Sequence, residues 1–139
     1  MPPIHGTETI LVVDDEDVVL SLTHMMLRRY GYALIPASSG KEVIHLLEVW
    51  PDLHIDLLLI DIVMPDMNGI ELTKRIHEFR PGLPVLYFSA YPDDEALRPI
   101  IARGVPFIAK PFTAEQITKK IREVLDKPRT PRRTTAKNE

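Results

Sequence analysis

Five short apolar runs, each followed by a segment with helical spacing of apolar residues, restrict the fold of this chain more than any other feature. The runs lie at 9–13, 32–37, 57–60, 85–88 and 105–109. The helical segments lie at 16–30, 39–50, 70–79, 93–103 and from 113 onwards. Five strand–helix pairs in this order predict an α/β fold, with one parallel sheet flanked by five helices.

Prolines and residue patterns within the runs predict the order of the strands. Pro36 and Pro106 fall in the second and fifth runs, and proline in a sheet is confined to edges and bulges. The run 57–60, Leu-Leu-Leu-Ile, has no polar alternation, which indicates a central strand covered on both faces. These features fit the order 2-1-3-4-5 of the flavodoxin-like, doubly wound sheet.

The helical segments carry signals for their ends and for their inward faces. Ser39 and the pair Thr113 and Gln116 predict N-terminal caps, and Gly31 predicts a left-handed residue after the first helix. Pro99 predicts that the fourth helix is short, kinked or begins near this residue. The predicted inward faces are Val18, Leu22, Met25, Met26 and Tyr30; Val43, Ile44, Leu47 and Trp50; Leu72, Ile76 and Phe79; and Ile117, Ile121, Val124 and Leu125.

The composition is that of an ordinary globular domain. The chain has 139 residues, of which 45% are hydrophobic and 27% charged. It has no cysteine, which excludes a disulfide scaffold and a cysteine nucleophile. No apolar run reaches the roughly 18 residues of a membrane helix, and the N-terminus lacks the pattern of a signal peptide. We therefore expect a cytoplasmic protein with no membrane partner.

The charges divide the chain into two parts. The net charge is −3, yet residues 127–139 contain five Lys or Arg residues and one acid. This segment is also rich in proline and threonine, so we predict a folded domain at 1–126 and a basic, disordered tail at 127–139. The body is acidic, and an acidic surface binds nucleic acid poorly. We therefore predict no direct nucleic-acid partner.

Charged and polar residues stand where four of the predicted strands end. Asp14 and Asp15 follow the first strand, Asp61 the third, Ser89 the fourth and Lys110 the fifth. Ligands of doubly wound sheets bind beyond these strand ends, so we expect the five side chains to share one crevice. Three carboxylates at short range repel each other, and a hard cation such as Mg²⁺ relieves that repulsion.

Phosphoryl chemistry uses the same set of groups. A carboxylate such as Asp61 can act as a nucleophile and form an acyl phosphate. Lys110 offers a positive point charge for a phosphoryl oxygen, and Ser89 offers a small hydroxyl donor. Positioning and charge neutralisation supply most of the catalysis in such reactions. The sequence therefore predicts a phosphoryl site with Asp61 at its centre.

At these motifs the chain resembles the receiver domain of two-component response regulators. The resemblance covers residues 7–126 and is carried by 11–16 (LVVDDE), 57–62 (LLLIDI), 64–69 (MPDMNG), 89–90 (SA) and 109–112 (AKPF). The run 6–15 also resembles the start of receivers found at the C-terminal end of hybrid histidine kinases. Each motif alone is common, whereas their joint occurrence in this order is specific.

The resemblance implies a reaction, a cofactor and partners. Asp61 is expected to accept a phosphoryl group from a histidine kinase or a phosphotransfer protein, and the domain then switches a downstream effector. Mg²⁺ is expected to bind Asp14, Asp15, Asp61 and the backbone carbonyl of Val63. Lys110 is expected to pair with the phosphoryl group.

The resemblance also implies a conformational switch. Ser89 is expected to move towards the phosphorylated side chain, and the Lys110–Pro111 bond is expected to be cis. Phe107 stands where many members have a tyrosine, so its switching is expected to rest on packing. Many receivers use helix 4, strand 5 and helix 5 for output or homodimer formation, and Pro99 predicts a non-standard partner face there.

Two other functional classes use related folds or residues. A magnesium-dependent phosphohydrolase with an aspartate nucleophile usually has a second acid two residues later, and that position is Val63 here. A flavin-binding electron carrier has the same sheet, but Asp14 and Asp15 would repel a flavin phosphate. We therefore predict a self-catalysed phosphoryl acceptor rather than a turnover enzyme.

Overall fold

The five predicted strands form one parallel sheet in the computed structural model, which describes residues 2–90 and 95–127. The strands are β1 (Thr9–Val13), β2 (Ala33–Ala37), β3 (Leu57–Asp61), β4 (Val85–Ser89) and β5 (Phe107–Ala109). The helices are α1 (Asp17–Arg29), α2 (Gly40–Val49), α3 (Gly69–Phe79), α4 (Arg98–Ala102) and α5 (Ala114–Leu125). The strand order is β2-β1-β3-β4-β5, which confirms the predicted flavodoxin-like topology.

Helices cover both faces of the sheet. One core cluster joins the sheet to α2, α3 and α4 through residues such as Val43, Leu72 and Ile100. The other joins it to α1 and α5 through Leu27 and Ile121. All residues of β3 are buried, because this strand lies in the middle of the sheet between the two layers. No helix in the ranges 2–90 and 95–127 is long and apolar enough to cross a bilayer.

Both proline-marked runs lie at the edges of the sheet, as predicted. Pro36 is part of β2, where β1 is the one paired neighbour in the described sheet. β5 begins at Phe107, so Pro106 lies immediately before the strand and not within it. The edge assignment of both strands is therefore confirmed. Proline is tolerated at these positions because neither has to donate a ladder hydrogen bond on the outer side of the sheet.

The helix ends follow the local signals. Ser39 Oγ accepts from the Glu42 N–H at 3.1 Å, and Thr113 and Gln116 form the full capping box. Gly31 has φ 102°, the left-handed conformation expected after α1. Pro99 is in the first turn of α4, where its missing N–H costs no hydrogen bond. The prediction of a helix beginning near Pro99 is confirmed; residues 93–94 lie outside the described ranges.

The predicted inward face of α1 is confirmed at Met26 and Tyr30, which are partly buried against the core, and is wrong at the other three positions. Val18, Leu22 and Met25 are 70%, 57% and 68% exposed, whereas Thr23 and Leu27 are buried. Apolar residues occur on nearly every side of this helix, so their spacing fits more than one inward face. The packing of α1 against the sheet and α5 selects the face that contains Leu27.

Two aromatic side chains predicted to be inward also lie outside the core. Trp50 is 58% exposed and follows the last residue of α2, and Phe79, the last residue of α3, is 40% exposed. At both places the chain is leaving its helix for the next strand. Val43 and Leu47, Leu72 and Ile76, and Ile117 and Ile121 are buried as predicted, and Ile44, Val124 and Leu125 are partly buried.

Candidate functional site

Three aspartates gather beyond the carboxyl ends of β1 and β3. Asp14 follows β1 and is fully buried, Asp61 ends β3 and is 4% exposed, and Asp15 is exposed. Carboxylate oxygens of the three residues lie within 4.8 Å of one another. The predicted crevice is therefore present, and its all-oxygen donor set has the chemistry that Mg²⁺ prefers.

Lys110 provides the positive charge of the site. Its Nζ lies 2.8 Å from Asp14 Oδ2 and 3.2 Å from Asp61 Oδ2, and its side chain is 10% exposed. The Lys110 N–H donates to the Ser89 carbonyl at 2.8 Å, which ties the end of β5 to the end of β4. The bond from Lys110 to Pro111 is cis, as the resemblance implies.

Backbone donors orient the two buried carboxylates. The Glu16 N–H donates to Asp14 Oδ1 at 2.9 Å, and the Val63 N–H donates to Asp61 Oδ1 at 3.1 Å. The other oxygen of each carboxylate faces Lys110. Each aspartate thus has one oxygen held by its own loop and one within reach of a cation or a phosphorus atom.

Glu16 belongs to the same cluster of charges, which the sequence analysis missed. Its Oε1 lies 3.6 Å from Lys110 Nζ, and its side chain is 62% exposed. The sequence feature that could have indicated this is the position of Glu16 directly after Asp14 and Asp15, at the start of the helix that follows β1. An exposed pair at this distance contributes little stability, although it adds negative charge beside the ammonium.

Burial and neighbouring charges shift the pKa values of the site. Burial and the charge of Asp14 raise the pKa of Asp61 to about 6, although Lys110 acts in the opposite direction. Burial lowers the pKa of the Lys110 ammonium, but its hydrogen bond to Asp14 and the charge of Asp61 outweigh this and raise the pKa overall. Lys110 therefore stays protonated, and excess negative charge remains for a cation to compensate.

The Asp61 carboxylate opens into a cleft of about 450 Å³. Val63 is 38% exposed on its rim. The cleft is lined by Asp15, Glu16, Asp61, Val63, Met64, Pro65, Ala90 and Lys110. Asp61 is therefore accessible from the cleft although its side chain is largely buried.

The other two predicted residues lie close to the site but not at the cleft rim. Ser89 is the last residue of β4 and is fully buried, next to the strand end that holds Asp61. Phe107 is half-buried at the start of β5, at the opposite end of this strand from Lys110. The structure thus brings Ser89 to the site and keeps Phe107 in the adjoining core.

The loop after β3 is packed tightly onto the end of that strand. The Gly69 N–H donates to the Ile62 carbonyl at 2.9 Å. A Cβ added at Gly69 would collide with the Asp61 carbonyl oxygen and would lie 2.8 Å from Ile60 Cγ2 and 3.0 Å from Ile62 Cα. Only glycine therefore lets α3 begin this close to the backbone of Asp61.

We expect Gly69→Ala to lower the free energy of unfolding by about 2 kcal/mol, because backbone atoms in its way cannot yield cheaply. Gly40→Ala is the matched control, since Gly40 is also the buried first residue of a helix. There the added Cβ would meet the flexible Met67 side chain at 3.3 to 3.4 Å. Urea unfolding measures the free energy of unfolding of both variants. Equal losses in Gly69→Ala and Gly40→Ala would contradict the backbone collision.

Known proteins are similar to this chain in sequence. Residues 10–122 match the family described as response regulator receiver domain. The sensor kinase CckA of Brucella abortus is 30% identical over 125 residues, which are 89% of this chain and 13% of that protein. The probable transcriptional regulatory protein TcrX of Mycobacterium tuberculosis is 30% identical over 84% of this chain and 49% of its own length. The chain thus spans less than half of these two relatives.

Solved structures agree with the fold and with the sequence match. The CheY-like response regulator receiver domain protein of Methanospirillum hungatei has a TM-score of 0.74 and 31% identity, covering 87% of this chain and 95% of that one. The receiver domain of the hybrid histidine kinase CckA has a TM-score of 0.68 and 30% identity, covering 83% and 96%. Sheet order, strand-end carboxylates and the match over most of the sequence agree, and the chain belongs to the family of response regulator receiver domains, the phosphoacceptor modules of two-component signalling.

Proposed function

We propose that Asp61 of this chain accepts a phosphoryl group from a phosphohistidine and that the modified domain switches the binding of a downstream effector. One observation carries this proposal: the Asp61 carboxylate faces an open cleft with Lys110 Nζ at 3.2 Å and two further aspartates within 4.8 Å. This arrangement supplies a nucleophile, a fixed positive charge and oxygen ligands for a cation. These are the parts that phosphoryl transfer requires.

The transfer forms one bond and breaks one. An oxygen of Asp61 attacks the phosphorus atom while the N–P bond of the donor phosphohistidine breaks. The imidazole nitrogen leaves with the bonding electrons, and the product is an acyl phosphate on Asp61. Lys110 stabilises the charge on a phosphoryl oxygen from the position it now occupies between two carboxylates.

Mg²⁺ is the cofactor that these residues suit. Asp14, Asp15, Asp61 and the backbone carbonyl of Val63 would hold the ion, which would leave coordination positions for water and phosphoryl oxygens. When bound, the cation neutralises phosphoryl oxygens during the transfer. The uncompensated negative charge among the three aspartates supports this assignment.

Ser89 and Phe107 would transmit the modification. Ser89 ends β4, one residue after the strand partner of Asp61, and its hydroxyl would turn towards a phosphoryl oxygen. Phe107 packs in the adjoining core and has no hydroxyl, so its response depends on packing. The proposed sequence of events is phosphorylation of Asp61, movement of Ser89 and rearrangement of the core around Phe107.

The proposal makes this domain a phosphoryl acceptor and not a turnover enzyme. A magnesium-dependent phosphohydrolase with an aspartate nucleophile usually needs a second acid two residues later, and Val63 has no ionisable group. The family match does not favour that alternative.

A groove beside the cleft supports a helical phosphodonor as the kinase-side partner. It has a volume of about 270 Å³ and a mostly apolar lining that includes Leu22, Met26, Pro111 and Phe112, and it reaches Lys110. The apolar side chain of Leu22, 57% exposed, continues this surface along α1. An amphipathic helix docked here would bring its histidine to Asp61. The two named relatives are a sensor kinase and a probable transcriptional regulatory protein, which supports kinase and effector partners.

The extent of the domain and its output face belong to the same proposal. We assign residues 1–126 to the receiver and 127–139 to a basic tail, most of which lies outside the described ranges. The short α4 with Pro99 in its first turn supports a non-standard partner face, for an effector or a second copy. The absence of cysteine fits a cytoplasmic place of action.

Acetyl phosphate with Mg²⁺ tests the proposed acceptor. We expect intact-mass spectrometry to find one phosphoryl adduct and peptide mapping to place it on Asp61. Asp61→Asn, which keeps the side-chain shape, and chelation by EDTA should each abolish the adduct. An adduct on another residue, or none, would refute the assignment, and sustained turnover of a phosphate ester would favour the phosphohydrolase. Phosphotransfer profiling against candidate kinases then identifies the donor.

A further inference from the structure

The start of α2 is capped by a side chain from another part of the chain. The Asp66 carboxylate, in the loop between β3 and α3, accepts from the N–H groups of Gly40 at 3.5 Å and Lys41 at 3.3 Å. The local cap, Ser39 Oγ, accepts from the Glu42 N–H at 3.1 Å. First-turn N–H groups have no partner within a helix, and the helix dipole favours a negative charge beside them. Asp66 therefore serves two first-turn donors and Ser39 serves a third.

Side-chain packing holds the loop against the same turn of α2. A Cβ added at the buried Gly40 would lie 3.3 Å from Met67 Cβ and 3.4 Å from Met67 Sδ. The residue that follows Asp66 thus lies directly over the first residue of the helix. Asp66 itself is exposed and is not among the residues that line the cleft. Its carboxylate therefore joins the loop to the helix and does not form part of the cleft surface.

The same loop carries backbone groups that serve the phosphoryl site. Val63, three residues before Asp66, donates its N–H to Asp61 Oδ1 at 3.1 Å, and its carbonyl belongs to the proposed Mg²⁺ site. The strand that leads to α2 is joined to the site as well, because the Asp14 N–H donates to the Ala37 carbonyl at the end of β2 at 3.1 Å. The start of α2 is therefore connected to both segments that carry the buried aspartates.

We propose that Asp66 is a positioning residue that holds the loop after β3 on the start of α2 and thereby orders Val63 for the cation. This inference rests on the proposed function of Asp61 and its Mg²⁺ site. The stretch 65–68 is mostly exposed, and the Asp66 carboxylate gives it a polar contact with a helix. A binding group that is ordered in advance loses less conformational entropy when its ligand binds. Without Asp66, the cost of ordering the loop is added to the binding of the ion.

Asp66→Ala removes both acceptor oxygens and should weaken the binding of Mg²⁺ by about two- to tenfold, the range of a capping contact. The probe is magnesium chloride, and amide NMR titration of the full chain measures its affinity. Asp66→Asn keeps one acceptor oxygen but loses the charge, so its affinity should fall between those of the wild type and Asp66→Ala.

Amide hydrogen exchange in EDTA gives a second readout, which does not require the ion. The Val63 N–H should exchange about two- to tenfold faster in Asp66→Ala, because the loop opens more often. Ser39→Ala is the matched control, since it removes a cap from the same helix start and leaves the contact of the loop in place. It should lower the free energy of unfolding as Asp66→Ala does, and should leave the Mg²⁺ affinity and the Val63 exchange rate unchanged.

The outcomes distinguish the positioning role from the proposed function. A wild type that does not bind Mg²⁺ would contradict the proposed cation site, whereas the exchange of Val63 would still test Asp66. Unchanged affinity and exchange in Asp66→Ala, or the same changes in Ser39→Ala, would overturn the role of Asp66, even if the variants are less stable. Changes in Asp66→Ala that are absent from Ser39→Ala support it. If Asp66→Ala does not fold, the same comparison between Asp66→Asn and Ser39→Ala decides.

Discussion

Lys110→Met is expected to lower the free energy of unfolding by about 3 kcal/mol in the presence of EDTA, because it leaves two buried carboxylates without their cation. The Lys110 ammonium lies 2.8 Å from Asp14 and 3.2 Å from Asp61, whose side chains are 0% and 5% exposed. Methionine keeps most of the length and packing of lysine. The decrease in the free energy of unfolding therefore measures the effect of removing the positive charge. Urea unfolding measures it.

A lysine in a surface ion pair provides the control for that experiment. Lys120 lies 3.4 Å from Glu123, with side chains that are 40% and 52% exposed, and Lys120→Met should cost less than about 1 kcal/mol. Mg²⁺ should recover part of the stability of Lys110→Met, since a bound cation replaces the missing charge and stabilises the folded state by mass action. Equal losses in the two variants would show that Lys110 does not compensate buried charge.

Asp61→Asn is expected to have the opposite effect and to stabilise the metal-free protein above pH 6. Burial and the charge of Asp14 raise the pKa of Asp61 from 3.8 to about 6, so the folded chain holds this proton more tightly than the unfolded chain. The stabilising contribution of the protonated group is complete below about pH 4 and is lost as the pH rises through about 6. The wild type therefore loses about 3 kcal/mol of its free energy of unfolding over this pH range. Asparagine does not titrate, so the variant avoids this loss.

Urea unfolding in EDTA across this pH range tests the expected difference. The advantage of Asp61→Asn over the wild type should grow between about pH 4 and 7 and then level off. Asp126→Asn, at a side chain that is 67% exposed, should show no such growth. Added Mg²⁺ should stabilise the wild type more than Asp61→Asn, because the variant lacks one ligand. A variant less stable than the wild type at high pH in EDTA would contradict the excess negative charge at this site.

The residues at the strand ends could be predicted because their positions follow from chain order. Once five parallel strands and their order were inferred, Asp14, Asp61 and Lys110 had to meet at one edge of the sheet, and they do. Pro36 and Pro106 indicated the edge strands for a local reason, the missing N–H of proline. The caps at Ser39 and Thr113 are local as well. These features can be predicted without knowing which helices pack against each other.

The helix faces and the hydrogen bonds between elements could not be predicted in this way. α1 has apolar residues on several sides, and the exposure of Val18 and Leu22 depends on how the helix is rotated against α5 and the sheet. Which oxygens of Asp14 and Asp61 accept from Lys110 depends on how the ends of three separate strands are placed. The approach of Glu16 to Lys110 also depends on where the first turn of α1 lies.

The amino-acid sequence by itself determined the alternation of strands and helices, the strand order and the set of charged groups that meet beyond the strand ends. These follow from backbone chemistry and from side-chain periodicity, which act over a few residues. Only the tertiary structure decided which side of α1 is exposed and which carboxylate oxygens face Lys110. Such features depend on distances of a few ångströms between distant segments, and close packing of the whole core sets those distances.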